Sequence, residues 1–113
     1  MNTKHLLTEY SCGIDFYPQL DIIYCRSRNN WTTIMLKGYS TCTTSKYLKD
    51  IEANLKSDYF LRVHRSYLVN LLHVEGISGS FSWLHMKDGH TIPVSRWKRS
   101  HVKESLKRYL SWV

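Results

Sequence analysis

Apolar side chains along the chain come in short runs broken by polar punctuation, a pattern that predicts a strand-rich domain. Asp21-Ile22-Ile23-Tyr24-Cys25 is apolar and β-prone, and predicts a strand. The polar stretch Arg26-Ser27-Arg28-Asn29-Asn30 reads as a loop. Trp31 to Leu36 predicts a second strand, Lys37-Gly38 breaks it, and Tyr39 to Thr43 reads as the return strand of a hairpin. From Ser45 to Lys56 the period changes: Tyr47, Leu48, Ile51 and Leu55 share one helical face, opposite Lys46, Lys49, Asp50, Glu52 and Lys56. Thr44 or Ser45 is the expected N-cap of this helix. Phe60 to Val63 is extended again, Ser66 to Asn70 is ambiguous and compatible with a single turn, and Leu72 to Ile77 predicts a strand.

Phe81 to Lys87 and His90 to Val94 flank Asp88-Gly89, a dipeptide suited to a type I′ turn, which predicts another hairpin. Pro93 cannot donate to a strand ladder and is expected at an edge or a strand end. Ser95 is the expected cap of a last helix, with Val102, Leu106, Tyr109, Leu110 and Val113 on one face and Lys98, Arg99, Lys103, Glu104, Lys107 and Arg108 on the other. The fold class expected is mainly β, with two helices at about 45–56 and 95–111. Residues 1–10 read as a lead-in or linker remnant, and 11–113 as one domain.

A chain of 113 residues suits one core and excludes a second domain. No apolar run reaches the ~18 residues of a membrane span, and the start leads into no apolar stretch typical of a secretory signal. A cytoplasmic location follows as an expectation. Three cysteines, Cys12, Cys25 and Cys42, are an odd number without a CxxC pair. That argues against a disulfide framework and for reduced thiols in or near a core. Close Cys/His pairs for zinc are absent from the sequence. Sixteen Lys+Arg against nine Asp+Glu give a net charge of +7, which points to a polyanionic partner.

Three clusters carry candidate chemistry. Arg26 to Asn30 holds two guanidiniums and two carboxamides, groups that pair bidentately with guanine and adenine edges, although a solvated turn uses the same residues. Ser95-Arg96-Trp97-Lys98-Arg99 places three cations at the start of a helix, where the macrodipole disfavours them by roughly 0.3–1 kcal/mol each. An approaching phosphate reverses that sign, so the conflict marks a functional site. In Arg62-Val63-His64-Arg65-Ser66, Arg65 is the exposed candidate, and His64 and Asn70 are expected to satisfy backbone groups. A Ser–His nucleophile is discounted, since sequence adjacency supplies neither an orienting acid nor an oxyanion hole. Lys103, Lys107 and Arg108 read as a solvated helix face. Trp83, Trp97, Trp112 and Tyr109 read as core or interface. With no acid pair, metal cluster or glycine-rich phosphate loop in sight, the sequence gives no ground for an enzyme, a metal, a cofactor or a small-molecule substrate.

The run Phe60-Leu61-Arg62-Val63-His64-Arg65-Ser66-Tyr67-Leu68-Val69-Asn70, followed by Val74 and Ile77, closely resembles the signature of LytTR domains. Asp88-Gly89 through Ile92-Pro93-Val94-Ser95-Arg96 is similar to the second hallmark of that family, and Asp21 to Tyr24 to its first core strand. The resemblance covers about residues 12–111. It implies an elongated, mostly antiparallel β fold in which loops enter DNA grooves, with Arg28-Asn29-Asn30 in one major groove, Arg65 at the intervening minor groove and Arg96 in the next major groove. Lys98 and Arg99 would then grip phosphates. The chain departs from the family pattern at Cys25-Arg26, where an acidic residue and Ala are frequent, and at Trp31, where Tyr is usual. The function this implies is sequence-specific binding of double-stranded DNA by a bacterial transcription regulator, with two copies on repeated promoter sites. The chain reads either as a standalone regulator or as the output domain of a two-component response regulator. The alternative is a protein-interaction module that uses its basic surface and holds DNA only non-specifically.

Overall fold

The computed structural model describes residues 18–55 and 58–111; the 1–10 lead-in, Cys12, Lys56, Trp112 and Val113 lie outside them. Among the described residues, eight strands and two α-helices run in the order β1 (Ile22–Arg28), β2 (Trp31–Leu36), β3 (Ser40–Thr44), α1 (Leu48–Asn54), β4 (Phe60–His64), β5 (Tyr67–Asn70), β6 (Val74–Ser78), β7 (Trp83–Met86), β8 (Thr91–Pro93) and α2 (Arg99–Leu110). The strands form a five-stranded sheet in the order β3-β2-β1-β5-β4 and a three-stranded sheet β6-β7-β8. Every strand pair is antiparallel. The body measures 43 × 26 × 24 Å, the elongated shape expected.

The larger sheet is covered on both faces. One cluster gathers Ile22, Cys25, Ile34, Leu36, Leu48, Ile51, Phe60 and Leu68, which seats α1 on one side. The other gathers Ile23, Tyr24, Val63, Val69, Leu84, Met86, Ile92, Val102 and Leu106, which seats the smaller sheet and α2 on the opposite side. Strand β1 serves both through a register irregularity between Ile22 and Tyr24. Simple alternation would put Ile23 and Cys25 on one face. The extra residue lets Ile23 and Tyr24 join one cluster while Ile22 and Cys25 join the other.

Several expectations need correction. Ser66 to Asn70 is no isolated turn: β5 lies between β1 and β4, and Leu68 and Val69 are fully buried on opposite faces. Four residues are too short for periodicity to separate strand from turn. The run from Leu72 to Ile77 begins as a 3-10 turn, Leu71–His73, because the Asn70 side chain accepts a hydrogen bond from Leu72 N–H. The first helix is Leu48–Asn54, shorter than 45–56, and Tyr47 is its N-cap without a side-chain bond. Thr44 Oγ1 instead accepts from Lys46 N–H at 3.2 Å, which holds the chain in a turn before the helix. The Asp88-Gly89 turn is not type I′, since within Lys87–Gly89 φ is positive at Gly89 alone (96°). Gly89 N–H donates to Met86 O at 2.9 Å, the pattern of a three-residue connection closed by a left-handed glycine. Asp88 Oδ1 accepts from His90 N–H there. Pro93 ends the edge strand β8, as expected of a residue that cannot donate.

The last helix also starts later than expected. Arg96–Lys98 is a 3-10 turn with Ser95 before it, and α2 begins at Arg99 with no side-chain cap. Cys25 is a free buried thiol, but Cys42 is disulfide-bonded, which corrects the expectation of three reduced thiols. An odd count rules out complete pairing but not a single bridge. Trp97 and Trp83 are not core residues, with 88% and 45% of their surface exposed.

Candidate nucleic-acid interface

The β1–β2 hairpin pairs Arg28 with Trp31, which leaves Asn29 and Asn30 as a two-residue tip. Arg26, Ser27 and Arg28 therefore stand on a strand, not in the loop expected for them, because the ladder continues to Arg28. Asn29 takes φ 56°, a left-handed conformation that Asn tolerates better than most residues. Arg28, Asn29 and Asn30 are all exposed.

The β4–β5 connection is held from inside by Arg62. Its Nε donates to His64 O at 3.0 Å, and Nη2 donates to Arg65 O at 2.6 Å. Nη1 lies 3.6 Å from a Glu52 carboxylate oxygen on α1. His64 Nδ1 accepts from Ser66 N–H at 3.0 Å, so the histidine does organise backbone, although it is half-buried and not buried. The guanidinium of Arg65 is left free to face solvent from a turn whose carbonyls are already engaged.

Two long-range backbone bonds join these tips. Ser27 N–H donates to Ser66 O at 2.9 Å, which ties the first hairpin to the β4–β5 connection. Ser95 N–H donates to Val63 O at 2.8 Å, which ties the segment bearing Arg96 to β4 just before that connection. The concave surface between the first two tips includes Arg26, Arg28, Asn29, His64 and Arg65, with no carboxylate among its residues. A second hollow, beside the Asn29-Asn30 tip, is lined by Trp31, Lys46, Tyr47 and Lys49. Thr32, itself buried, donates from Oγ1 to Lys46 O at 2.8 Å and fixes that rim.

In the third segment Arg96 is exposed, whereas Lys98 and Arg99 are half-buried. Arg99 Nε is buried without a hydrogen-bond partner. The first turn of α2 holds no acidic residue. Arg99 alone of the three cations belongs to α2, since Arg96 and Lys98 sit in the preceding 3-10 turn. The dipole conflict inferred from the sequence is thus confined mainly to Arg99.

Sequence reasoning missed Arg62 as the group that positions Arg65, and it missed Lys46 and Lys49 as neighbours of the first tip. The strand pairing of β1 through β3 was the signal that could have brought Lys46 beside Trp31. Away from this surface, burial first and the Asp88 carboxylate second push Tyr24 up to about 12. Burial likewise pushes the Cys25 thiol up to about 12, so it stays protonated at neutral pH. Among the described residues, no three His, Cys, Asp or Glu side chains gather closely enough to hold a metal ion. No helix among them is long and apolar enough to cross a membrane.

The LytTr DNA-binding domain family matches residues 14–107. Sensory transduction protein LytT of Bacillus subtilis is 36% identical over 89 residues, which cover 76% of this chain and 36% of that protein. Transcriptional regulatory protein LytR of Staphylococcus aureus is 33% identical over 83 residues, covering 74% of this chain and 33% of that protein. The chain thus spans about a third of the length of these relatives. A solved LytTr DNA-binding domain from Bacillus cereus superposes with a TM-score of 0.72 at 29% identity, over 80% of this chain and 84% of that one. With the same antiparallel architecture and the signature residues in place, the chain belongs to the LytTR DNA-binding domain family.

Proposed function

We propose that this domain binds double-stranded promoter DNA sequence-specifically and so regulates transcription in the bacterial cytoplasm, with no catalytic role. The observation that supports the reading is the pair of backbone bonds, Ser27–Ser66 and Ser95–Val63, that link the three basic segments. Asn29 and Asn30, with Arg28 behind them, enter one major groove and read base edges. Arg65 meets the intervening minor groove, and Arg96 reads the next major groove. Lys98 and Arg99 meet phosphates, which fix register without reading sequence. The 43 Å long axis exceeds the ~34 Å helical repeat of DNA, so one domain along the duplex is long enough for this reach. Two copies occupy repeated half-sites, as expected where one domain reads few base pairs. The names of the relatives, a sensory transduction protein and a transcriptional regulatory protein, agree with a regulatory role.

The test is selection from a random duplex library at near-physiological salt, followed by sequencing. An enriched, repeated motif is expected. Weak binding without enrichment, lost as salt rises, would refute the proposal and favour a protein-interaction module with non-specific charge attraction.

A further inference from the structure

We propose that Trp97 is a specificity-determining residue whose indole packs against thymine methyl groups on the major-groove wall beside the base pair read by Arg96. The inference rests on the DNA-binding reading above. Trp97 is 88% exposed, more than Tyr39, Tyr47 or Trp31 at 76, 61 and 56%. An indole offers about 150–250 Å² of surface to bury, and here the domain supplies no seat for it.

The backbone beneath it is nevertheless fixed. Lys98 N–H donates to Ser95 O at 2.9 Å, and Arg99 N–H donates to Arg96 O, so both ends of the turn are closed. Val94 is buried before the turn and Val102 after it, and Ser95 N–H is bound to Val63 O. A bulky aromatic presented on a braced turn is the form that a contact residue takes.

Its neighbours select the partner. Arg96 and Lys98 flank it, and no carboxylate occurs between Ser95 and Lys103. That setting suits a polyanion better than an apolar protein surface. Successive side chains of a 3-10 turn diverge by about 120°, so Trp97 does not share the base edge of Arg96. It meets the wall of the same groove, where the thymine C5-methyl is the apolar group on offer. An indole has one N–H donor and no acceptor, so it adds an apolar contact rather than a second bidentate pair.

The experiment takes the duplex enriched in the selection and replaces each thymine in turn by deoxyuridine, which removes only the methyl. One or two positions next to the base pair that Arg96→Ala ceases to discriminate are expected to weaken binding about fourfold each. Trp97→Ala abolishes that sensitivity, and Trp97→Phe keeps part of it. With its side chain in solvent, Trp97→Ala leaves the urea midpoint unchanged. The inference is overturned if no uracil position matters to the unsubstituted protein, or if Trp97→Ala keeps the same sensitivity. A selection that enriches no duplex overturns the DNA-binding reading itself, and this inference with it.

Discussion

Replacing Asn70 by Ala tests how the two site-bearing strands are joined. Asn70 is fully buried at the end of β5. Its Nδ2 donates to Ile22 O at 2.9 Å across to the start of β1, and its Oδ1 accepts from Leu72 N–H at 2.9 Å. Alanine leaves both backbone groups without their partner. An orphaned buried group costs about 1–3 kcal/mol. Ile22 is fully buried, so its carbonyl lies near the upper end, and half-buried Leu72 near the lower. The sum is about 4 kcal/mol, a large share of the ~5–15 kcal/mol typical of a whole domain. At a urea slope of about 2 kcal/mol per molar, the unfolding midpoint falls by about 2 M. Equilibrium urea unfolding followed by far-UV circular dichroism measures it, with Ser100→Ala on the exposed face of α2 as a control expected within about 0.5 kcal/mol. Asn70→Asp keeps the acceptor and loses the donor, so it still costs stability at neutral pH. A midpoint shift below about 0.3 M for Asn70→Ala, equivalent to about 0.6 kcal/mol at that slope, would refute the argument that these two bonds are the residue's role.

Arg96→Ala is expected to cost about 1–3 kcal/mol on the enriched site and much less on unrelated duplex, read by fluorescence anisotropy; an equal loss on both makes it a phosphate anchor. Lys98→Ala should weaken binding on all sequences and lower the slope of log affinity against log salt by about one, and an unchanged slope removes Lys98 from the interface. Arg62→Met keeps the aliphatic stem but loses the bonds to His64 O and Arg65 O, so stability should fall by about 1–2 kcal/mol, and faster amide exchange at Ser66 would reveal the loosened turn. Tyr24 and Cys25 titrate higher in the folded chain, at about 12 each against 10.0 and 9.0 ordinarily. Because the folded state holds these protons more tightly, their stabilisation is complete below about pH 9 and drains away as pH climbs towards 12. Tyr24→Phe should flatten the upper part of that decline in urea midpoints measured from pH 8 to 11.

The strand content, the β2–β3 hairpin and both helices were legible from period and turn chemistry, because each rests on contacts close in sequence. The conformation of Ser66 to Asn70 was not, since burial of Leu68 and Val69 on opposite faces depends on β1 and β4. Nor was the extent of β1: Arg26 and Arg28 look like loop residues until Thr33 and Trp31 are placed opposite them. At the candidate site, Asn29, Asn30, Arg65 and Arg96 are exposed. What no local pattern carried is the brace from Arg62 and the two backbone bonds that link the three segments. The outward placement of Trp97 removes the core reading from the two, core or interface, that the sequence left open. The 3-10 turn that turns it out replaces the helical start that Ser95 suggested.

The bond from Ser95 N–H to Val63 O also bears on the order in which the chain acquires its shape. The Asn29-Asn30 tip closes between neighbours in sequence, and a hairpin of this kind forms in roughly 1–10 μs. Ser27 and Ser66 are 39 residues apart (66 − 27), and Val63 and Ser95 are 32 apart (95 − 63). Contacts of such separation are slow to form because loop closure comes before any return from packing. During synthesis the first tip can therefore close while the chain is still incomplete, whereas the link to the third basic segment waits until Ser95 has emerged and docked on Val63. A nascent or truncated product ending before that residue holds ten Lys+Arg against eight Asp+Glu, a net charge of +2 (10 − 8) instead of +7, so it would lack both the third basic segment and most of the electrostatic pull on a polyanion.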